Sequence, residues 1–371
     1  MNIGSFRRTL LAALAIAALT GGSAAKAQDG RDYTRVIGRP EMLPYVAGVA
    51  AAMNRSAARK FPAIEQSSAE GARRSFCTQL RDSPDIMVIP VPTGVDPAHI
   101  CENNEPLVAL PFGRQVFTLY TAPGAPTIAL TREQFFRAIA RDLPRADTSG
   151  GDAVFEPNPN KRWRDISPDL PDLPIRMVGP PRRAVQWLTI EDLVMRPACM
   201  GLPAVAALAR IDQQSTELRC LSRRFDEAMS YVDGTAYNVD PRIDPKGFEL
   251  AINERRAMLL TPGAVPQPVE GHMPNLAGLN AGRYPLARRL VAVIKVNRIE
   301  TIPNLRNFVV ELTSPAAGGP KGYLAPLGVE PLPEDVLASS ALKARYMRPP
   351  NRVSEKPEAA QERPRNEKPA Q

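Results

Sequence analysis

Four cysteines and two histidines are the side chains of this 371-residue chain best suited to thiolate or imidazole chemistry, as nucleophiles or as zinc ligands. Cys77, Cys101, Cys199 and Cys220 are far apart and form no CxxC pair, and His99 and His272 stand alone. A zinc site needs clustered thiolates and imidazoles, so no metal is expected. The chain has no GxSxG elbow, no HExxH, no GxxxxGK[ST] loop and no GxGxxG. Acid–base chemistry would fall to carboxylates, and no pair of them stands out. These absences point to a non-catalytic protein without a cofactor. An even number of cysteines in an oxidising compartment forms disulfides. Spacing alone permits three pairings; the local pairs Cys77–Cys101 and Cys199–Cys220 would each contribute about 3 kcal/mol.

The N-terminus supplies that compartment. Arg7 and Arg8 precede an apolar stretch from Leu10 to Leu19, followed by Gly21, Gly22 and the small-residue site Ala25-Lys26-Ala27. This is the three-part pattern of an export signal, with cleavage expected after Ala27. Ten apolar residues are too few to span a bilayer, and no later run approaches the ~20 needed, so a membrane-spanning protein is not expected. Loss of residues 1–27 removes Arg7, Arg8 and Lys26 and takes the formal charge from +8 to +5. No basic stripe interleaved with aromatics accompanies that charge, so nucleic acid is not an expected partner. Proline, at 39 residues, is about twice its usual share of roughly 5%. That density excludes coiled coils and helical solenoids. Five prolines among Glu, Lys and Arg mark residues 349–371 as a disordered tail.

Between these ends the pattern alternates. Met42, Val46, Val49, Met53 and Ala57 carry a helical period over 41–59, and a second short helix covers 68–80. Asp85–Val91, Leu107–Leu110, Val116–Thr121, Ile175–Val178, 256–261 and Leu290–Val296 read as strands. Pro111 and Gly113 separate the second from the third. Thr131-Arg132-Glu133-Gln134 is a capping box that opens a helix ending near Pro144, with a long ordered loop over 144–174. Thr189–Arg196, Ser215–Tyr231 and Pro303–Thr313 read as helices, the last with Leu305, Phe308, Val309 and Leu312 inward. Strands alternating with helices imply an α/β architecture.

Several segments resemble one family. Glu156-Pro157-Asn158-Pro159-Asn160-Lys161-Arg162-Trp163-Arg164-Asp165-Ile166 and Leu173-Pro174-Ile175-Arg176-Met177-Val178-Gly179-Pro180-Pro181 resemble the phosphate-binding proteins of periplasmic phosphate ABC importers. Gly282-Arg283-Tyr284-Pro285-Leu286-Ala287-Arg288, Gly319–Leu324 and Gly328–Pro333 follow in the family's order. The resemblance covers about residues 36–348. It implies a two-lobed, type 2 periplasmic binding protein clamshell. One lobe would be 28–110 plus 290–348 and the other 111–289, joined by crossovers near Phe112–Thr118 and Arg283–Leu290. It also implies a periplasmic, monomeric receptor with a small-molecule solute and an ABC permease as partner. The four cysteines fall where a subset of the family has them, which implies the local pairs Cys77–Cys101 and Cys199–Cys220.

The family's phosphate donors come from four turns, and this chain departs at each. Gly38-Arg39-Pro40-Glu41-Met42 lacks hydroxyls, and Pro40 has no N–H. Glu65-Gln66-Ser67-Ser68-Ala69-Glu70 has Ala69 about where the donor serine would lie. Met87-Val88-Ile89-Pro90-Val91-Pro92 has no polar side chain. Arg183-Ala184-Val185-Gln186-Trp187 replaces a Ser-Gly-Thr-Arg signature, with Trp187 at the arginine position. A micromolar ligand needs about −8 kcal/mol, while each charge-assisted hydrogen bond returns only ~1.5–3 kcal/mol, so tight phosphate binding is not expected. The leading expectation is a larger anionic solute held by Arg39, Arg182 and Arg183, with Ser67 and Ser68 nearby and Trp187 as a stacking surface. The alternative is a scaffold that binds an envelope protein. In it Glu41 or Glu70 occupies an anion position, pairs with Arg39 or Arg183, and locks the lobes without ligand.

Overall fold

The structure is a computed structural model that describes residues 31–54, 61–92, 95–145, 154–232 and 249–349. The expected signal peptide, and the expected tail beyond its first residue, lie outside the described residues. Eleven strands are formed among them: β1 (Arg35–Gly38), β2 (Ala63–Gln66), β3 (Ile86–Val91), β4 (Leu107–Thr121), β5 (Asp142–Arg145), β6 (Val154–Pro157), β7 (Met177–Gly179), β8 (Met229–Tyr231), β9 (Leu250–Glu254), β10 (Val265–Gln267) and β11 (Ala287–Lys295). Eight make one hydrogen-bonded path, β2-β1-β3-β11-β4-β9-β7-β8, with β10 paired to β4 and a separate β5–β6 ladder.

β4 unites two halves of this sheet. Its residues 107–116 pair antiparallel with β11, and its residues 117–121 pair with β9 and β10. Each half has its own core. In the first, side chains alternate with the pleat: Val36, Ile86, Val88, Leu290, Ala292 and Ile294 face the helices Leu43–Asn54 and Leu305–Leu312. Ile37, Met87, Val91, Val291 and Val293 face Phe76 and the helix Ala69–Cys77. The second half packs Phe135, Phe136, Trp163, Ile190 and Met195 over β7 and β9. Helices on both faces explain why these strands read as nearly continuous apolar runs.

Both local disulfides are formed, with Cα–Cα separations of 5.4 Å for Cys77–Cys101 and 5.6 Å for Cys199–Cys220. Several expected elements differ. Leu107–Leu110 and Val116–Thr121 are one strand, because the ladder shifts register opposite Leu290/Val291 and absorbs Pro111, which has no N–H to give, in a bulge. Residues 256–261, expected as a strand, form the helix Arg255–Leu260 directly after β9. The helix expected over Ser215–Tyr231 ends at Cys220, and β8 follows. The helix opened by the Thr131 capping box ends at Ile139, and β5 and β6 interrupt the expected loop after it.

Candidate functional site

A buried, charged region lies where the two halves meet. β1 ends at Gly38, where a Cβ would stand 3.0 Å from the Val88 carbonyl, and the chain turns through Arg39 into the 3-10 turn Pro40–Met42. Glu41 is buried beneath that turn. Its Oε1 accepts from Arg39 Nε at 2.8 Å and from Arg288 at 3.4 Å.

Arg288 projects from β11 and is 3% exposed. Its guanidinium donates to Thr189 Oγ1 at 2.6 Å, to Asp192 Oδ2 at 2.9 Å and, through Nε, to Gln115 Oε1 at 3.0 Å. Burial pushes its pKa down, and Asp192 and Glu41 oppose that. Asp192 Oδ2 also accepts from Arg39 at 2.5 Å, so one carboxylate oxygen is shared by two guanidinium groups from different parts of the chain. The set is balanced: two cations, Arg39 and Arg288, against two carboxylates, Glu41 and Asp192. Charged hydrogen bonds of this kind are about twice as strong as neutral ones. Removing one partner of a buried pair costs ~3–5 kcal/mol because the other is left uncompensated.

The network continues through Gln115 on β4. Its Oε1 also accepts from Thr189, and its Nε2 donates to the Tyr45 hydroxyl at 3.3 Å and to Glu254 at 3.4 Å. Glu254 is fully buried at the end of β9. Burial pushes its pKa up to about 7, the Gln115 hydrogen bond and Arg288 draw it back, and Glu330 adds to the rise.

Asp192 reaches this position because of local helix geometry. The helix Gln186–Ile190 passes into a π turn, Glu191–Met195, before the helix Arg196–Met200. Such turns insert an extra residue and recur at functional sites. Thr189 and Asp192 are three apart and share a face. Trp187 is two residues from Thr189 and points elsewhere. It is 2% exposed, its Nε1 donates to the carbonyls of Pro180 and Pro181, and the Arg223 guanidinium lies 4.3 Å over its ring.

Outside the charged set the crevice opens into a cleft of about 670 Å³, bordered by Arg39, Ser67, Ser68, Leu188, Asp192 and Arg196. Of the residues expected to bind ligand, Arg39 and Glu41 meet in the charged set, and Ser67 and Ser68 stand on the cleft wall. The Ser68 hydroxyl already accepts from Gly71 N as a helix cap. Arg182, Arg183 and Trp187 do not border the cleft: Arg182 and Arg183 are exposed, Arg182 lying 3.6 Å over the Phe225 ring, and Trp187 is core. Glu70, offered as an occupant of an anion position, borders the cleft and pairs with Arg73 and Arg74 on its own helix. Gln115, Thr189, Asp192, Glu254 and Arg288 were not foreseen. For Arg288 and Gln115 the available signal was a long polar side chain in a strand built mostly of apolar residues.

No protein-family model matches the chain, and no curated protein sequence does. Solved structures do. A possible phosphate binding protein from Planctomyces limnophilus superposes with a TM-score of 0.63 at 14% identity, covering 85% of this chain and 98% of that one. PstS from Borrelia burgdorferi gives 0.51 at 10% identity, covering 82% and 100%. An ABC-type phosphate transport receptor from Vibrio cholerae gives 0.51 at 12%, covering 80% and 99%. The chain has the two-lobed α/β fold of periplasmic binding proteins. The charged set sits where the two halves of the sheet meet. Among the described residues no single helix is long and apolar enough to cross a membrane, and no three His, Cys, Asp or Glu residues are grouped to hold a metal ion.

Proposed function

We propose that this protein is an exported, non-catalytic solute-binding-type protein whose interlobe anion position is filled by its own carboxylates, so that it does not serve as a phosphate receptor. The observation that carries this reading is the Asp192 carboxylate between Arg39 and Arg288. In a clamshell, a bound anion neutralises donors from both lobes and holds them together. Here Asp192 and Glu41 do both. A free phosphate would meet two guanidinium groups already paired and two carboxylates that repel it. The lobes, 28–110 plus 290–348 and 111–289, are then held closed without a guest. The export signal and two disulfides support a periplasmic location, and monomeric behaviour is expected. An ABC permease or an envelope protein would recognise the closed form.

Thermal and isothermal titration of the mature chain with inorganic phosphate tests this. A micromolar receptor would gain about 4 kcal/mol of stability at a millimolar ligand. No gain is expected. A saturable micromolar response would overturn the reading.

A further inference from the structure

The charged set is not uniformly sealed. The Glu41 side chain is 1% exposed and that of Arg288 3%, but Asp192 is 20% exposed and Arg39 16%. Arg39 and Asp192 also border the 670 Å³ cleft, so a solute entering it meets the guanidinium that Asp192 now holds. Asp192 has a second partner at hand. Arg196, one turn further along, approaches its other oxygen at 3.7 Å and also pairs with Glu217. The π turn supplies a way to move. Returning it to α-helical register rotates its residues against the preceding helix by about 100°.

We propose that Asp192 is a displaceable internal stand-in for the carboxylate of a small solute. That solute binds between Arg39 and Arg288 when Asp192 withdraws toward Arg196. The chemical class follows from the position. The group being replaced is a carboxylate whose Oδ2 accepts one hydrogen bond from Arg39, at 2.5 Å, and one from Arg288, at 2.9 Å, and a guanidinium pairs with a solute carboxylate in the same role. Ser67 and Leu188 also border the cleft, one with a hydroxyl and the other with an apolar surface, which suits a short carboxylic acid with a polar remainder. Arg288 requires a carboxylate at all times, since its burial without one is prohibitive. Exchange of one carboxylate for another keeps that requirement satisfied at each end state. This inference rests on the reading that the chain's own carboxylates fill the crevice, and it goes further by naming what replaces one of them.

The test uses the mature chain with acetate and lactate as probes against chloride at matched ionic strength, followed by thermal unfolding and calorimetry. The wild type should bind saturably but weakly, because its site is competent only while Asp192 is withdrawn. Asp192→Ala should bind acetate at least ~10-fold tighter and regain thermal stability as acetate saturates. Asp192→Asn, closer in shape, repeats the measurement if the alanine variant does not fold. Arg39→Ala should remove the wild-type response. Silence toward both probes in wild type and variants overturns the proposal. So does a response in the Asp192 variants alone, which would make Asp192 a permanent structural member, and so does a wild-type response that Arg39→Ala leaves intact. A micromolar phosphate response would instead mark the failure of the reading beneath it.

Discussion

Two buried ionic networks in this molecule use the same side-chain chemistry for different ends. One lies within a single lobe, beneath the Cys77–Cys101 loop. There the Lys295 ammonium, 0% exposed, donates to the Thr78 carbonyl at 2.9 Å and Ser83 Oγ at 2.8 Å, and pairs with Glu105 at 3.2 Å. Asp85 beside it holds Arg31 at 2.5 Å and Arg298 at 3.1 Å. Its members come from β11, the loop before β3 and the segments flanking them, so it sets the register of one sheet. The other network, Arg39–Glu41–Arg288–Asp192, draws its members from both halves of the sheet and has two members, Arg39 and Asp192, at an open wall. Burial of a charge demands a partner in either place. Where the partner comes from decides whether the pair fixes a fold or a relative position.

The comparison breaks most easily at its centres. Arg288→Ala should destabilise by ~3–5 kcal/mol in chemical denaturation, since Arg39 is left as the one shared cation against Asp192 and Glu41. It should also enlarge the radius of gyration in small-angle scattering, because the tie between the halves is reduced to the Arg39–Asp192 pair. Lys295→Ala should cost a similar amount, leaving Glu105 unpaired, but should not change the radius of gyration of the folded fraction. Equal scattering from both variants would abolish the distinction.

A smaller effect sharpens it through pH. Glu254 titrates near 7 in the folded protein against an ordinary value near 4.5. A raised carboxyl pKa means the folded state binds more protons than the unfolded state between these values. The contribution is fully present below about pH 4.5 and is lost as pH rises through about 7, on the order of 3 kcal/mol. Glu254→Gln should flatten that segment of the pH–stability curve. If the slope persists, the titrating group is elsewhere. The smallest effect belongs to the cleft wall: Ser68→Ala should cost ~1 kcal/mol through loss of the helix cap to Gly71 N and leave the pH profile unchanged.

The frame of the molecule was readable before its coordinates because its signals are local and periodic. The pleat alternation in β11, the inward face of the helix Leu305–Leu312 and the Thr131 capping box each follow from neighbours in sequence. Residues 256–261 misled because a six-residue apolar run has no periodicity long enough to separate strand from helix. The charged set was half readable. Arg39 and Glu41 are two apart in a turn, so their pairing follows from proximity. Asp192 joins Arg39 across 153 residues of chain, and on its own helix it looks like any solvent-facing acid. Trp187 misled for a related reason. A match by position places a residue in a turn, but one step along a helix turns a side chain by about 100° and away from the crevice.

The Cys199–Cys220 bond ties the end of the helix Arg196–Met200 to the end of the helix Gln213–Cys220, which carries Glu217. The wall that presents Asp192 is thus covalently braced just behind the turn that positions it. A freshly made chain still carrying free thiols would own both sheet halves and all four ionic partners, yet hold one of those partners on an unbraced support. Formation of that bond would then firm the support under a single carboxylate, which links the geometry of the charged set to the redox state of the chain.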